Sequence, residues 1–166
     1  MSINKTVTFE GRNYNLDDRD RVAAAVSNIS PDANGIQVIS TAAATTVDAQ
    51  TTLLDLAVDG AFNITMPAAK AGRHLKVFWS VEQATGDRQF NCAGSDTFAG
   101  NVNHTVEASG DSTMDSIAVA GTTVRIVSID DTNIGSYLDF RCSTDGQWLV
   151  SGQLVFDAIG NVVTLA

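Results

Sequence analysis

The clearest pattern in the chain is the stretch from Ile64 to Val81, which reads ITMPAAKAGRHLKVFWSV. A short apolar run ends at Pro67, small residues follow, and a second run alternates at Leu75, Val77 and Trp79. An apolar residue at every second position is typical of a strand with one buried face, because successive side chains point to opposite sides. The stretch predicts two strands joined by a loop, and it contains no pattern of a reactive centre.

Similar short runs recur from Ile36 to the end, with turn signals such as Asp59-Gly60 and Asp145-Gly146 between them. We expect roughly eight to ten strands in a mainly β fold, an antiparallel sandwich or barrel. Jelly-roll, tulip-like and immunoglobulin-like topologies all fit this pattern. The predicted core contains four residues in phase with aliphatic neighbours, namely Ile64, Trp79, Phe140 and Trp148.

The N-terminal residues have a different pattern. Thr6 to Glu10 predicts a strand, Gly11 to Asn13 a turn, and the alternation then resumes. Val22, Val26 and Ile29 have helical spacing behind a group of aspartates, which predicts a short helix that ends before Pro31. We divide the chain into an N-terminal arm, residues 1–35, and a β domain, residues 36–166. The arm is too small to bury its apolar residues alone, so we expect a partner surface to cover Val7, Phe9, Tyr14, Leu16, Val22, Val26 and Ile29. That surface is the β domain itself, a neighbouring subunit or another protein.

The 166 residues carry 10 bases and 19 acids, a formal net charge of −9. Residues 1–40 hold four bases and five acids, and residues 41–166 hold six bases and fourteen acids, so most of the excess lies in the β domain. An acidic surface repels phosphate backbones, so we expect no nucleic-acid partner.

The N-terminus has no apolar signal sequence, and no window of the sequence is apolar over a length that could span a membrane. We therefore expect a soluble protein made in a cytoplasm.

Residues able to carry chemistry are few and scattered. His74 and His104 have no second histidine at ligand spacing, and the pairs Asp130-Asp131 and Asp111/Asp115 match no complete calcium loop. Cys92 and Cys142 follow no metal or redox spacing, so we interpret them as small buried side chains. The polar stretch 91–116 predicts a long loop, the one candidate for a binding tip. We therefore expect no enzyme activity, no metal and no cofactor.

Three segments resemble virion proteins of tailed bacteriophages. They are the run from Thr51 to Val81 with its TMPAAKAG turn, the segment CAGSDTFAGN at Cys92 to Asn101, and the hairpin DGQWLVSG at Asp145 to Gly152. The resemblance covers about the last 115 residues. The proteins that share it are head decoration or cement proteins, head fibres and tail-associated proteins, β-rich and commonly trimeric.

The resemblance implies a structural virion protein. A homotrimer would bind the major capsid protein on the outer surface of the head, at threefold-type positions, and stabilise the head against internal pressure. The seven apolar arm residues would contact the capsid or a neighbouring subunit. The alternative is a receptor- or glycan-binding domain of a tail or head fibre, with the 91–116 stretch at its tip.

Overall fold

The computed structural model describes residues 5–9, 12–16, 34–108, 111–128, 131–157 and 163–165. These residues form strands and no helix, so the described part contains no helix able to cross a membrane. A seven-stranded sheet consists, in spatial order, of β10 (Asp111–Thr123), β9 (Thr97–Ala108), β13 (Gln147–Phe156), β12 (Tyr137–Thr144), β7 (His74–Trp79), β5 (Leu53–Leu56) and β3 (Ile36–Ile39). A five-stranded sheet consists of β14 (Val163–Leu165), β11 (Arg125–Ser128), β8 (Arg88–Asn91), β6 (Phe62–Thr65) and β4 (Thr45–Thr46). The mainly β class is confirmed, and the described strands beyond Ile36 number twelve, more than expected.

Both sheets are mixed, so the prediction of antiparallel sheets is wrong. Successive strands from β3 to β8 alternate between the sheets, and β3, β5 and β7 lie parallel to one another, as do β4, β6 and β8. Strands β9 and β13 are also parallel. The reason for the error is physical. Alternation of apolar residues indicates that one face of a strand is buried, whereas the direction of the strand depends on its connection to the next. Parallel neighbours require a crossover connection, and here a strand of the opposite sheet forms that crossover.

The stretch predicted as a loop, residues 91–116, is mostly a long antiparallel hairpin of β9 and β10. Phe98, Val102, His104 and Val106 of β9 are buried, and the polar residues between them face outward. The prediction is wrong because Gly100 and a histidine alternate with Phe98, Val102 and Val106 along β9 and hide the apolar pattern. Tertiary packing outweighs the local composition at these positions.

Side chains from the two large sheets meet in one hydrophobic core. Trp79 of β7 lies 5.8 Å from Phe90 of β8 between ring centroids, and Phe90 lies 6.0 Å from Phe140 of β12. The four residues assigned to the core from the sequence, Ile64, Trp79, Phe140 and Trp148, are fully buried. Val81, at the end of the alternating run, departs from the pattern because it follows the end of β7 and is exposed.

In the N-terminal arm, β1 (Lys5–Phe9) and β2 (Arg12–Leu16) pair antiparallel, with Val7 opposite Tyr14. The hairpin is present as predicted, but the predicted turn is misplaced because Arg12 and Asn13 belong to β2. This pair forms a sheet of its own and adds no strand to the two larger described sheets. The predicted helix, with Val22, Val26 and Ile29, lies outside the described residues.

Candidate functional site

The β domain has two ends that differ in charge. Strands β5, β7, β9 and β13 all run in one direction, from an end formed by the loops 48–52, 66–73, 92–96 and 145–146 to an end formed by 57–61, 80–87 and 131–136. We call the first the basic end and the second the acidic end. The basic end has Lys70, Arg73, Arg125 and Arg141, with Lys76 two residues along β7, and its own acids Asp48, Asp96, Asp139 and Asp145 balance part of that charge. The acidic end has Asp59, Glu82, Asp87, Asp131 and Asp157.

The three motif segments of the sequence, 51–81, 92–101 and 145–152, meet at the basic end. The backbone N–H of Ala69 donates to Asp96 Oδ2 at 2.6 Å, and the backbone N–H of Ala71 donates to Asp145 Oδ1 at 2.9 Å. Gly146 N donates to Ala69 O at 3.0 Å, and the indole Nε1 of Trp148 donates to Pro67 O at 3.3 Å. We call this hydrogen-bonded group of loops the motif junction. The carboxylates of Asp96 and Asp145 hold the backbone of these loops in place, so their role in the junction is structural.

The carboxylate of Asp145 is the central acceptor of the motif junction. Besides the Ala71 amide, Asp145 Oδ2 accepts from Lys70 Nζ at 2.9 Å. The Ala71 hydrogen bond and then the Lys70 ammonium hold the pKa of Asp145 below its ordinary value of 3.8. Both partners therefore favour the ionised carboxylate in the folded protein.

We expect acid to destabilise the protein partly through Asp145. Its folded pKa lies below its unfolded pKa, so its contribution is present above about pH 4 and is lost as pH falls through the folded pKa. Asp145→Asn keeps an oxygen for Ala71 N–H but loses the ion pair with Lys70. The variant should have a lower urea midpoint at pH 7 and a smaller further loss on acidification. The exposed Asp87→Asn, at the acidic end, is the matched control and should have a urea midpoint at pH 7 close to that of the wild type. An unchanged profile for Asp145→Asn would contradict this role.

A shallow groove lies beside the motif junction. It has a volume of about 360 Å³ and is lined by the segments 49–52 and 70–74. At its edge His74 Nε2 lies 3.0 Å from Asp139 Oδ1, and Arg141 Nε donates to the same oxygen at 3.0 Å. Partial burial alone would raise the pKa of Asp139, but the hydrogen bonds from Arg141 and His74 lower it overall. The groove therefore has fixed cationic groups and an open, wet surface, which suit a charged partner.

At the acidic end, Asp59 holds the loop that precedes β8. Asp59 Oδ1 accepts from Gly60 N at 2.7 Å and from Thr85 N at 3.0 Å, and Oδ2 accepts from the Thr85 hydroxyl at 3.1 Å. Desolvation would raise the pKa of Asp59, and these hydrogen bonds from Thr85 and Gly60 lower it overall. Behind this loop Gln83 is fully buried and donates to Gly86 O and Ser128 O at 2.6 and 3.0 Å.

Arg88 is the least expected residue of the structure. Its side chain is fully buried at the start of β8, with the guanidinium 5.4 Å from the Phe62 ring centroid and 6.0 Å from that of Trp79. Nη2 donates to Val58 O, but Nε and Nη1 have no hydrogen-bond partner among the described residues. Burial lowers the pKa of Arg88 to about 10, and the charge of Asp59 opposes that shift. A buried cation with two unsatisfied donors costs stability, and the aromatic rings recover only part of it.

We expect Arg88→Met to be as stable as the wild type or about 1–2 kcal/mol more stable in urea denaturation, because it removes the desolvated charge and keeps the volume. Arg88→Ala should instead lose about 3 kcal/mol, because it leaves a cavity between Phe62 and Trp79. Arg125→Met, at an exposed arginine that contacts Asn91, is the control and should change the free energy of unfolding by less than about 0.5 kcal/mol. A large loss in Arg88→Met would show that the charge itself is needed.

The other sequence candidates lie apart from one another. His74 is exposed at the groove, whereas His104 is buried on β9, its ring 6.4 Å from that of Phe156. Cys92 is half-buried and Cys142 is buried, both have free thiols, and burial raises the pKa of Cys92 to about 12. Among the described side chains, no three of His, Cys, Asp or Glu are placed to hold a metal ion. The Asp130-Asp131 and Asp111/Asp115 pairs include residues outside the described side chains.

Sequence reasoning missed two residues, the loop-holding Asp96 and the buried Arg88. Asp96 lies in the segment CAGSDTFAGN, and its position just before a strand gave a usable signal for a carboxylate that holds a loop. Arg88 gave none, because an arginine in an alternating run is normally on the exposed face.

Comparison of the chain with protein-family models, with curated proteins and with solved structures finds no match.

Proposed function

We propose that this chain is a structural protein of a tailed-phage head. In this proposal it is a homotrimeric decoration, or cement, protein that binds the major capsid protein on the outer surface of the virion. The support is the likeness of the three motif segments to virion proteins, together with their convergence in the motif junction. Residues such as Asp96, Asp145 and Trp148 hold loops there, which is what a rigid adhesive module requires.

The observation that carries the proposal is the separate β1–β2 hairpin. It is a two-stranded sheet that extends neither large sheet. An isolated two-stranded hairpin has marginal stability in water and gains stability by packing on another surface. We propose that the apolar arm residues find that surface on the capsid or on a neighbouring subunit, where β1 can also add to an exposed sheet edge. These are Val7, Phe9, Tyr14, Leu16, Val22, Val26 and Ile29.

A trimer strengthens such a contact through multivalency. Once one arm binds, the other two are held at high effective concentration near their own sites. Three contacts of micromolar quality, each about −8 kcal/mol alone, suffice for firm attachment after ordering costs. A trimer at a threefold-type position joins neighbouring capsomers and opposes their separation by the pressure of the packaged genome.

The finer description of the fold and location belongs to the same proposal. The two large sheets share one core, which supports a sandwich in which they pack face to face. The protein is made in the host cytoplasm, and its final location is the outer capsid surface.

The decisive experiment mixes full-length protein with undecorated heads, sediments them and measures the bound amount. We expect saturation at a fixed number of symmetry-related sites. Deletion of residues 1–33 should reduce the affinity by at least about a hundredfold, since the avidity of three arms is lost. The urea midpoint of the deletion variant is the control for the β domain. Absence of saturable binding by the full-length protein would overturn the proposal.

Hydrogen exchange tests the arm separately. We expect the amides of β1 and β2 to exchange fast in the free protein and slowly on heads, because packing on the capsid protects them. Full protection of residues 5–16 in the isolated protein would show that the arm packs on its own assembly.

A second candidate function is a glycan- or receptor-binding domain of a fibre. One cross-strand row on the outer face of the seven-stranded sheet consists of Phe78, Tyr137, Gln153 and Asn103. The ring of Tyr137 is partly exposed, with Lys76 Nζ 4.9 Å from its centroid. An aromatic ring beside amide side chains suits a sugar, which needs an apolar platform and hydrogen-bond partners. Glycan binding by the wild type that Tyr137→Ala abolishes would favour this function over capsid decoration.

A further inference from the structure

The exposed bases of the β domain lie near one end, and the opposite end has mainly acids. Residues 34–166 contain six lysines and arginines, and Arg88 is buried. The other five are Lys70, Arg73, Lys76, Arg125 and Arg141, and all lie at the basic end or, for Lys76, two residues along β7 from it. The described acids at the opposite end have no exposed base among them. Among the described side chains of residues 34–157, the exposed cations thus lie on one side of the β domain.

The N-terminal arm joins the β domain at that same side. The backbone oxygen of Gly35 accepts from Thr52 N at 2.8 Å and from Leu53 N at 3.2 Å. Thr52 lines the groove that Lys70, Arg73 and His74 also line. The chain therefore enters the β domain through Asn34 and Gly35 at the rim of the basic groove.

We propose that the basic end is the docking end of the domain and that its partner is a carboxylate-rich protein surface. The inference rests on the proposed function and adds to it the face that meets the shell and the chemistry of the shell site. The arm and the groove then act side by side, the arm through its apolar residues and the groove through its charges. The acidic end faces away from the shell.

Carboxylates fit the basic end better than a dense polyanion does. Two of its cations contact carboxylates of the same end, Lys70 with Asp145 at 2.9 Å and Arg141 with Asp139 at 3.0 Å, and a partner carboxylate would share these two cations with them. Asp96, Asp139 and Asp145 stand between these cations and would repel closely spaced phosphates. A protein surface offers separated carboxylates that can lie opposite the bases and avoid the acids.

The division of charge also orients the encounter. An acidic shell repels this chain as a whole, but the repulsion is weakest when the basic end leads. Beyond a Debye length of about 8 Å at physiological salt the attraction is screened, so it acts mainly at close approach. Salt should therefore weaken docking without abolishing the apolar contact of the arm.

The test compares two double variants of the full-length protein on undecorated heads, at low and at high salt. Arg73→Gln with Arg141→Gln removes two charges from the basic end, and we expect affinity to fall about tenfold at low salt. Glu82→Gln with Asp87→Asn, at exposed residues of the opposite end, is the control and should change affinity less than about twofold. Urea midpoints check folding, and the single Arg141→Gln replaces the first double variant if it is unfolded.

The outcomes separate this inference from the proposed function. Saturable binding to heads that neither double variant changes, or that both change in step with net charge, would overturn the docking end and leave the decoration proposal standing. A labelled glutamate decapeptide and polyphosphate serve as probes of the partner chemistry. Binding of the decapeptide that Arg73→Gln with Arg141→Gln weakens, without binding to heads, would support the docking end and overturn the decoration proposal. Tighter binding of polyphosphate than of the decapeptide would overturn the carboxylate partner.

Discussion

Gly100→Ala should lower the free energy of unfolding by about 3 kcal/mol or more. Gly100 has a φ of 134°, which side-chain-bearing residues rarely adopt, and a Cβ there would lie well inside contact distance of the Val150 carbonyl oxygen. Val150 is Gly100's register partner on β13, so the clash falls between two backbones that cannot move independently. The pairing of β9 with β10 also shifts register at this point, between Val119, the partner of Gly100, and Thr123, the partner of Phe98. Urea denaturation followed by circular dichroism measures the loss.

Substitutions at two other glycines distinguish the two causes of that loss, the steric clash and the backbone conformation. Gly152 has no positive φ, but its Cβ would meet Tyr137 O and lie 2.9 Å from Leu138 Cα, so Gly152→Ala tests the clash alone. Gly94 has a φ of 55° with open space around it, so Gly94→Ala tests the backbone conformation alone, at a cost of about 1–2 kcal/mol. A loss in Gly100→Ala no larger than that in Gly94→Ala would contradict the close approach of β9 to β13.

The faces of the strands were predictable, and their pairing was not. Leu75, Val77 and Trp79 are buried as their alternation requires, because the pattern within one strand directly records which face meets the core. The parallel order of β3, β5 and β7 depends on where the intervening strands lie. That is a property of the whole chain, and no local window contains it.

The functional surface was predictable only in part. The three motif segments were found as sequence, but their meeting depends on Ala69, Ala71 and Gly146 coming together from positions far apart in the chain. The charge asymmetry was likewise hidden, since Lys70 and Arg141 are far apart in the sequence and come to the same end of the domain only when β7 pairs with β12. The total charge gives only the sign of the charge, whereas the topology determines on which side of the domain the charged residues lie.

Trp148→Ala should cost about 3–5 kcal/mol, the usual range for loss of a fully buried large aromatic side chain. The indole is 6.4 Å from the Phe140 ring in an edge-on arrangement, and its Nε1 donates to Pro67 O. It therefore joins the core to the motif junction. Trp148→Phe keeps most of the packing but leaves the buried Pro67 carbonyl without its donor, at a cost of about 1–3 kcal/mol.

Trp79→Phe is the matched comparison for Trp148→Phe, because Trp79 Nε1 also donates one hydrogen bond, to Gln83 Oε1 at 3.3 Å. That oxygen keeps a second donor, the Ser128 hydroxyl at 3.4 Å, so Trp79→Phe should lose less stability. Equal losses would contradict the larger cost assigned to leaving the Pro67 carbonyl without a donor. Head binding adds a second readout. If the arm makes the main shell contact, folded Trp148→Phe should bind heads with unchanged affinity. A loss of affinity in parallel with the loss of stability would instead assign the shell contact to the motif junction.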